Sequence, residues 1–264
     1  MRSILRRCTL RMPPLGLAVN KLSQVGFPWH LIIMAIKHKT AVGGGSSNHP
    51  IISLTDFVDF IAKTGNPKLT QVKTVKWRKP YSPGTDFWRP LRLAVVDYHE
   101  DNGTKKAELD QVLDNINPKQ AKCYSLALKG YQKFLGRKKI TWDGTHTKQW
   151  NGDLMSVRVN PELGVTINGK RHIMKLYFKA EPLTKAKADL ILLLMAESLG
   201  STVAQDTEFA LLDVQKGKLY SSASPSKGLL PLLEGEANSF ATMWNAIPDT
   251  RPGKESDSEN EDAA

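Results

Sequence analysis

The chain has 264 residues, 41% hydrophobic and 24% charged, the proportions of one large folded domain or two small ones. Lys plus Arg number 37 against 26 Asp plus Glu, a formal charge of +11. No apolar run reaches the ~18–20 residues of a spanning helix, and the two cysteines, Cys8 and Cys123, exclude a disulfide framework or a cysteine-rich zinc module.

The charge is unevenly placed. Residues 1–33 carry five cations and no acid, whereas residues 251–264 have a net charge of −3, which leaves +9 for the middle. A basic body with an acidic tail suits a protein that meets polyanions. The apolar-poor tail, 248–264, is expected to be disordered. Arg6-Arg7 precedes a stretch broken by Pro13, Pro14, Asn20 and Lys21, which does not read as an export signal. Met34 opens a Gly/Ser-rich lead that looks like an ordinary start, so translation is expected to begin there. Residues 1–50 are then a disordered or non-native extension, and 51–247 form a single domain. The expected location is the cytoplasm.

In chain order, Leu54, Phe57, Val58 and Ile61 have the spacing of an amphipathic helix, with Ser53 as cap and Gly65 as stop. Residues 66–85 contain Pro67, Pro80, Pro83 and Gly84 and read as a loop, a basic one that interleaves Lys68, Lys73, Lys76, Arg78 and Lys79 with Trp77 and Tyr81. Thr85 or Asp86 caps a helix to about Glu100; another covers Lys105 to Asn115. Asn117-Pro118 starts a third, which runs to Leu135 with Ala121, Tyr124, Leu128, Tyr131 and Leu135 along one stripe. The period then changes to two. Met155, Val157 and Val159 alternate with polar residues, and Asn168-Gly169 between two alternating runs is the best hairpin signal in the chain. Met174, Leu176 and Phe178 share one strand face and are expected to pack on the next helix, 184–199, whose LILLLMA centre is apolar all round. A last hairpin turns near Lys216-Gly217, and a final helix covers about Leu232–Ala246. The expected fold is α+β: N-terminal helices, then a mostly antiparallel sheet around one buried helix.

The chemistry is less legible. No histidine pair has a metal-site spacing, GGG at 43–45 has no following lysine to make a phosphate loop, and no GxSxG elbow exists. Cys123 reads as a small helix hydrophobe. The order helix, three strands, helix, strand over 118–214 is similar to the core of PD-(D/E)XK nucleases. That resemblance covers about 100 residues and is one of element order. It implies an acid on one strand and an acid-x-Lys on the next, together holding Mg²⁺. Here the candidate strand reads Tyr177-Phe178-Lys179, without the acid, and Thr166 and Asn168 stand on the strand before. The nearest acids are Glu162, Glu181 and Asp213. With Lys179 they make the alternative catalytic set, with Mg²⁺ as its cofactor.

The leading expectation is nucleic-acid binding without intrinsic catalysis, and without a cofactor or metal. Lysines and arginines displace counterions from a phosphate backbone, and an aromatic ring stacks on an exposed base. The candidate contacts are Lys73, Lys76, Trp77, Arg78 and Lys79 in the proline-rich loop, Arg137, Lys138 and Lys139 before the sheet, and Arg158, Lys175 and Lys179 on strands. An acidic protein partner is the third reading; no membrane is implied.

Overall fold

The computed structural model describes residues 49–251, apart from Tyr81, Asn102, Thr104, Lys105 and Asn115. The expectations for residues 1–48, the Met34 start and the acidic tail beyond Arg251 lie outside the described residues; Pro50, expected in the extension, is instead buried with its carbonyl accepting the Ser156 N–H, and Pro248 and Asp249, expected in the tail, bond to Trp77 and Lys76. The described elements are β1 (Ile51–Ser53), α1 (Leu54–Ala62), α2 (Asn66–Lys76), α3 (Arg89–Glu100), α4 (Pro118–Leu135), β2 (Ile140–Gly144), β3 (Lys148–Asn151), β4 (Ser156–Val159), β5 (Leu163–Ile167), β6 (Lys170–Tyr177), α5 (Lys185–Leu199), β7 (Glu208–Asp213), β8 (Lys218–Ser222) and α6 (Leu230–Ala246). The fold is α+β, as the sequence indicates.

Asn168 and Gly169 have φ of 50° and 88°, so both centres of the turn are left-handed and β5 and β6 form the expected two-residue hairpin. The sheet around it has the order β2-β5-β6-β7-β8. Its β6–β7 pair is parallel and its other pairs are antiparallel. A parallel pair needs a crossover, and α5 provides it. The alternating run at 155–159 does not join this sheet. It forms a separate three-stranded sheet, β1-β4-β3, in which β1 runs parallel to β4. The third strand of the main meander is instead β2, just after the α4 helix.

Both faces of the five-stranded sheet are covered. Leu163, Val165, Met174, Leu176, Phe178, Ala210 and Leu212 pack on one side against Tyr124, Leu128 and Tyr131 of α4 and Leu91 and Val95 of α3. Ile173, Tyr177, Phe209 and Leu211 pack on the other side against α5, with α1, α6 and the small sheet beyond it. Met174, Leu176 and Phe178 are therefore buried, but under α4 rather than α5. A strand buried on both faces has no polar side, so alternation alone does not say which helix covers which face. Its all-round apolar surface fits α5 to a place between the two sheets.

Two other expectations change. Residues 66–76 are helical, because Pro67 occupies the first turn, where its missing N–H costs nothing, and Val72 is buried on the inner face. The segment expected as a helix over 105–115 is a 3₁₀ helix, Lys106–Leu113. Gly130 lets α4 lie directly on the β7–β8 turn: a Cβ there would stand 2.0 Å from the Val214 carbonyl oxygen.

Candidate functional site

The four residues of the alternative catalytic set come to one end of the sheet. Glu162 precedes β5, Lys179 and Glu181 follow β6, and Asp213 ends β7 beside Tyr177. They do not share a site. Each acid has its own lysine: Glu162 with Lys175 at 2.5 Å, Glu181 with Lys63 at 3.3 Å, and Asp213 with Lys216 at 2.7 Å. Lys179 instead reaches Asp59 of α1 at 2.9 Å. Lys179 therefore pairs with Asp59 rather than with the three acids that complete the alternative catalytic set. The sequence reading missed Asp59, because a carboxylate on an amphipathic helix looks like a solvated face. Here it is buried.

Position on the strands explains this arrangement. The hairpin register pairs Leu163 with Met174, which brings Glu162 across from Lys175. Lys175 is 2% exposed and also donates to Thr55 Oγ1 at 2.8 Å, while the second Glu162 oxygen accepts the Leu176 N–H at 2.8 Å. Every strong group of this buried pair is thereby satisfied, the condition under which such a pair is tolerated. Burial pushes the Asp59 carboxyl above its ordinary range, against the pull of Lys179 and Lys63. Burial also raises the Tyr177 phenol, which donates to the Glu181 carbonyl at 3.0 Å. For Glu181 burial acts upward too, but its backbone hydrogen bond and Lys63 outweigh it and hold the carboxyl low. Four acids against four lysines leave a neutral, tightly paired cluster. Among the described residues no three His, Cys, Asp or Glu side chains gather as a metal-binding group.

The candidate contacts around Trp77 are mostly engaged within the fold. Lys76 donates to the Trp244 and Ile247 carbonyls and pairs with Asp249 at 3.0 Å. Its ammonium thereby closes the C-terminal end of α6, where orphan carbonyls and the helix dipole favour a cation. Trp77 donates to the Pro248 carbonyl at 2.9 Å and lies under Lys73, 6.0 Å from its ring centre. Arg78 forks onto Asp56 at 2.6 and 3.2 Å. Lys79 is exposed. Arg158 is half-buried on β4, and Lys175 is the buried partner of Glu162. Internal acids and carbonyls thereby offset the charges of Lys76 and Arg78.

An exposed basic surface lies elsewhere. The exposed positions of α4 are Lys119, Lys122, Leu126, Lys129 and Lys133, after its first residue. Their spacing of i, i+3, i+7, i+10 and i+14 puts them on one face of the helix. At 1.5 Å per residue the stripe is about 21 Å long. Arg137, Lys138 and Lys139 continue it, all exposed. None of the four α4 lysines has an ion-pair partner among the described residues, and no acid occurs anywhere in 116–142. The opposite face of the same helix is fixed by Tyr124, Leu128 and Tyr131 in the core, so the lysines are held outward on a rigid element. The sequence did contain this signal. Lys119, Lys122, Lys129 and Lys133 recur there at helical spacing, away from the apolar stripe of α4.

No protein-family model matches the chain, and no curated protein matches it. A solved structure, that of SSO0001, is similar over 84% of this chain and 86% of that one, at 13% identity and a TM-score of 0.34.

Proposed function

We propose that the protein binds nucleic acid through the outer face of α4 and the turn that follows it. The observation that carries this reading is the stripe Lys119, Lys122, Lys129 and Lys133, exposed, free of ion pairs among the described residues, and continued by Arg137 to Lys139. Such a row of like charges is unfavourable unless it faces an anion, and a phosphate backbone supplies regularly spaced ones. No exposed residue of the α4 face is aromatic, so the surface holds backbone phosphates rather than stacking on bases. A duplex, whose charge density is the higher, is the partner this favours. Fluorescence anisotropy with a short labelled duplex tests the reading. Affinity should fall linearly on a log–log plot as salt rises, and an acidic polypeptide such as polyglutamate should compete poorly. Equal competition by polyglutamate would instead favour an acidic protein partner.

A second reading, metal-dependent phosphodiester hydrolysis, is favoured by one observation. The β2-β5-β6 meander followed by the α5 crossover to β7 keeps the nuclease-like order, with Glu162, Asp59, Glu181 and Asp213 at one end. It requires Mg²⁺ to displace lysines from these acids. Plasmid incubated with the protein and Mg²⁺ or Mn²⁺ should stay intact under the leading reading. Cleavage that is lost in Glu162→Gln would put the second reading first.

A further inference from the structure

A cavity of about 280 Å³ opens on the α5 side of the sheet, at the end away from the charged cluster. Its lining includes Asp143 of β2 and His146 after it, Arg171 and Ile173 of β6, and Val203, Ala204 and Thr207 between α5 and β7. The pairing of the strands builds its floor. Thr166 lies opposite Arg171, and His172 lies opposite Glu208, so one step earlier Arg171 stands beside Thr207. Thr166, Arg171 and Thr207 thus form a polar row across β5, β6 and β7 on the face that carries Ile173 and Phe209 further along. Gly164 leaves this face bare, and His146 occupies the space above it: a Cβ on Gly164 would lie 3.5 Å from the His146 ring.

Two features of this cavity are independent of each other. The Arg171 side chain is exposed into it, and its guanidinium has no ion-pair or hydrogen-bond partner among the described residues. Thr207 is 3% exposed, and its Oγ1 is one of two buried side-chain polar atoms without a partner among the described residues. A buried hydroxyl without a partner is destabilising, and a ligand that accepts from it recovers that loss. A guanidinium beside a free hydroxyl donor is the pair of groups that an oxyanion requires, the guanidinium through its planar fork. Asp143, which accepts from Thr166 Oγ1 at 2.5 Å, leaves a carboxylate for a hydroxyl donor on the same ligand. Ile173, Val203 and Ala204 give the wall an apolar part for a carbon skeleton.

We propose that this cavity binds a phosphorylated small molecule of sugar-phosphate size, with its phosphate on Arg171 and the Thr207 hydroxyl and its hydroxyls toward Asp143 and His146. The inference is independent of the α4 surface.

Isothermal titration calorimetry with ribose 5-phosphate, inorganic phosphate and ribose provides the test, with thermal melting alongside. Ribose 5-phosphate should bind more tightly than inorganic phosphate, and ribose should give no heat. Arg171→Gln should weaken ribose 5-phosphate at least tenfold. Thr207→Val keeps the side-chain shape and removes the orphan hydroxyl, so the free protein should melt higher while ribose 5-phosphate binds more weakly. A purely structural threonine would not show that opposition. The Lys119→Gln/Lys122→Gln/Lys129→Gln/Lys133→Gln variant should keep its affinity for ribose 5-phosphate. Absence of ribose 5-phosphate and phosphate binding at millimolar concentration, full binding in Arg171→Gln or Thr207→Val, or loss of binding in the α4 variant would each overturn the proposal.

Discussion

Lys175 shows how much a single side chain decides in this molecule. Its ammonium is buried and its one acidic partner among the described residues is Glu162, itself almost covered. Removing one partner of such a pair leaves an uncompensated buried charge and costs about 3–5 kcal/mol, whereas removing both is far milder. Lys175→Met should therefore destabilise the protein by about that amount. Lys175→Met combined with Glu162→Gln should recover most of the loss, since the amide oxygen introduced by the second substitution still accepts the Leu176 N–H. Urea denaturation of the single and double variants checks this, and simple additivity would show that the two charges are not coupled. His99 gives a second residue-scale expectation. It is 5% exposed, lies 2.6 Å from the Tyr131 hydroxyl, and burial pushes its pKa from 6.5 down to about 4. The folded state therefore holds this ring neutral at a pH where the unfolded state protonates it. The contribution is whole above pH 6.5 and is lost as the pH falls toward 4, a change of roughly 3 kcal/mol. Unfolding free energies measured between pH 7.5 and 4.5 should decline over that window in the wild-type protein and much less in His99→Phe. A wild-type profile as flat as that of the variant would contradict the assignment.

At the scale of elements, what the sequence makes legible is what local physics fixes. The Asn168-Gly169 turn is dictated by two left-handed residues, and α4 by a capping asparagine, a first-turn proline and an apolar stripe. The buried nature of α5 follows from its lack of a polar side. What the sequence hides is set by distant partners. Lys76 and Arg78 look like free cations until α6 brings carbonyls to one and α1 brings Asp56 to the other. Pro67 looks like a breaker until Val72 is buried beneath the helix that it starts. The separation of 155–159 into its own sheet depends on β1, a three-residue strand too short to register as one. Of the candidate contacts, Arg137, Lys138 and Lys139 remain on the exposed surface, whereas Lys76 and Lys175 are held inside the fold.

On the scale of the whole molecule, charge is sorted by place. The end of the sheet nearest α1 holds acids and lysines in closed pairs, so it contributes little net field. The outer face of α4 holds four lysines around Leu126 and no acid, on a helix locked by Gly130 against the β7–β8 turn. Among the described residues no helix is long and apolar enough to cross a membrane. Among the described residues the α4 face is a cationic track held on one rigid element, and the reading of function rests on that track. Each phosphate contact adds about 0.9 to the slope of log affinity against log salt on duplex DNA. The direct measurement is that slope for the wild-type protein and for Lys119→Gln/Lys122→Gln/Lys129→Gln/Lys133→Gln, with melting curves to show that both are folded. All four positions are exposed, so the fold should survive the substitutions. The slope should flatten by about three to four units, with affinity lowered for every duplex sequence alike. An unchanged slope and affinity in the folded variant would contradict the account.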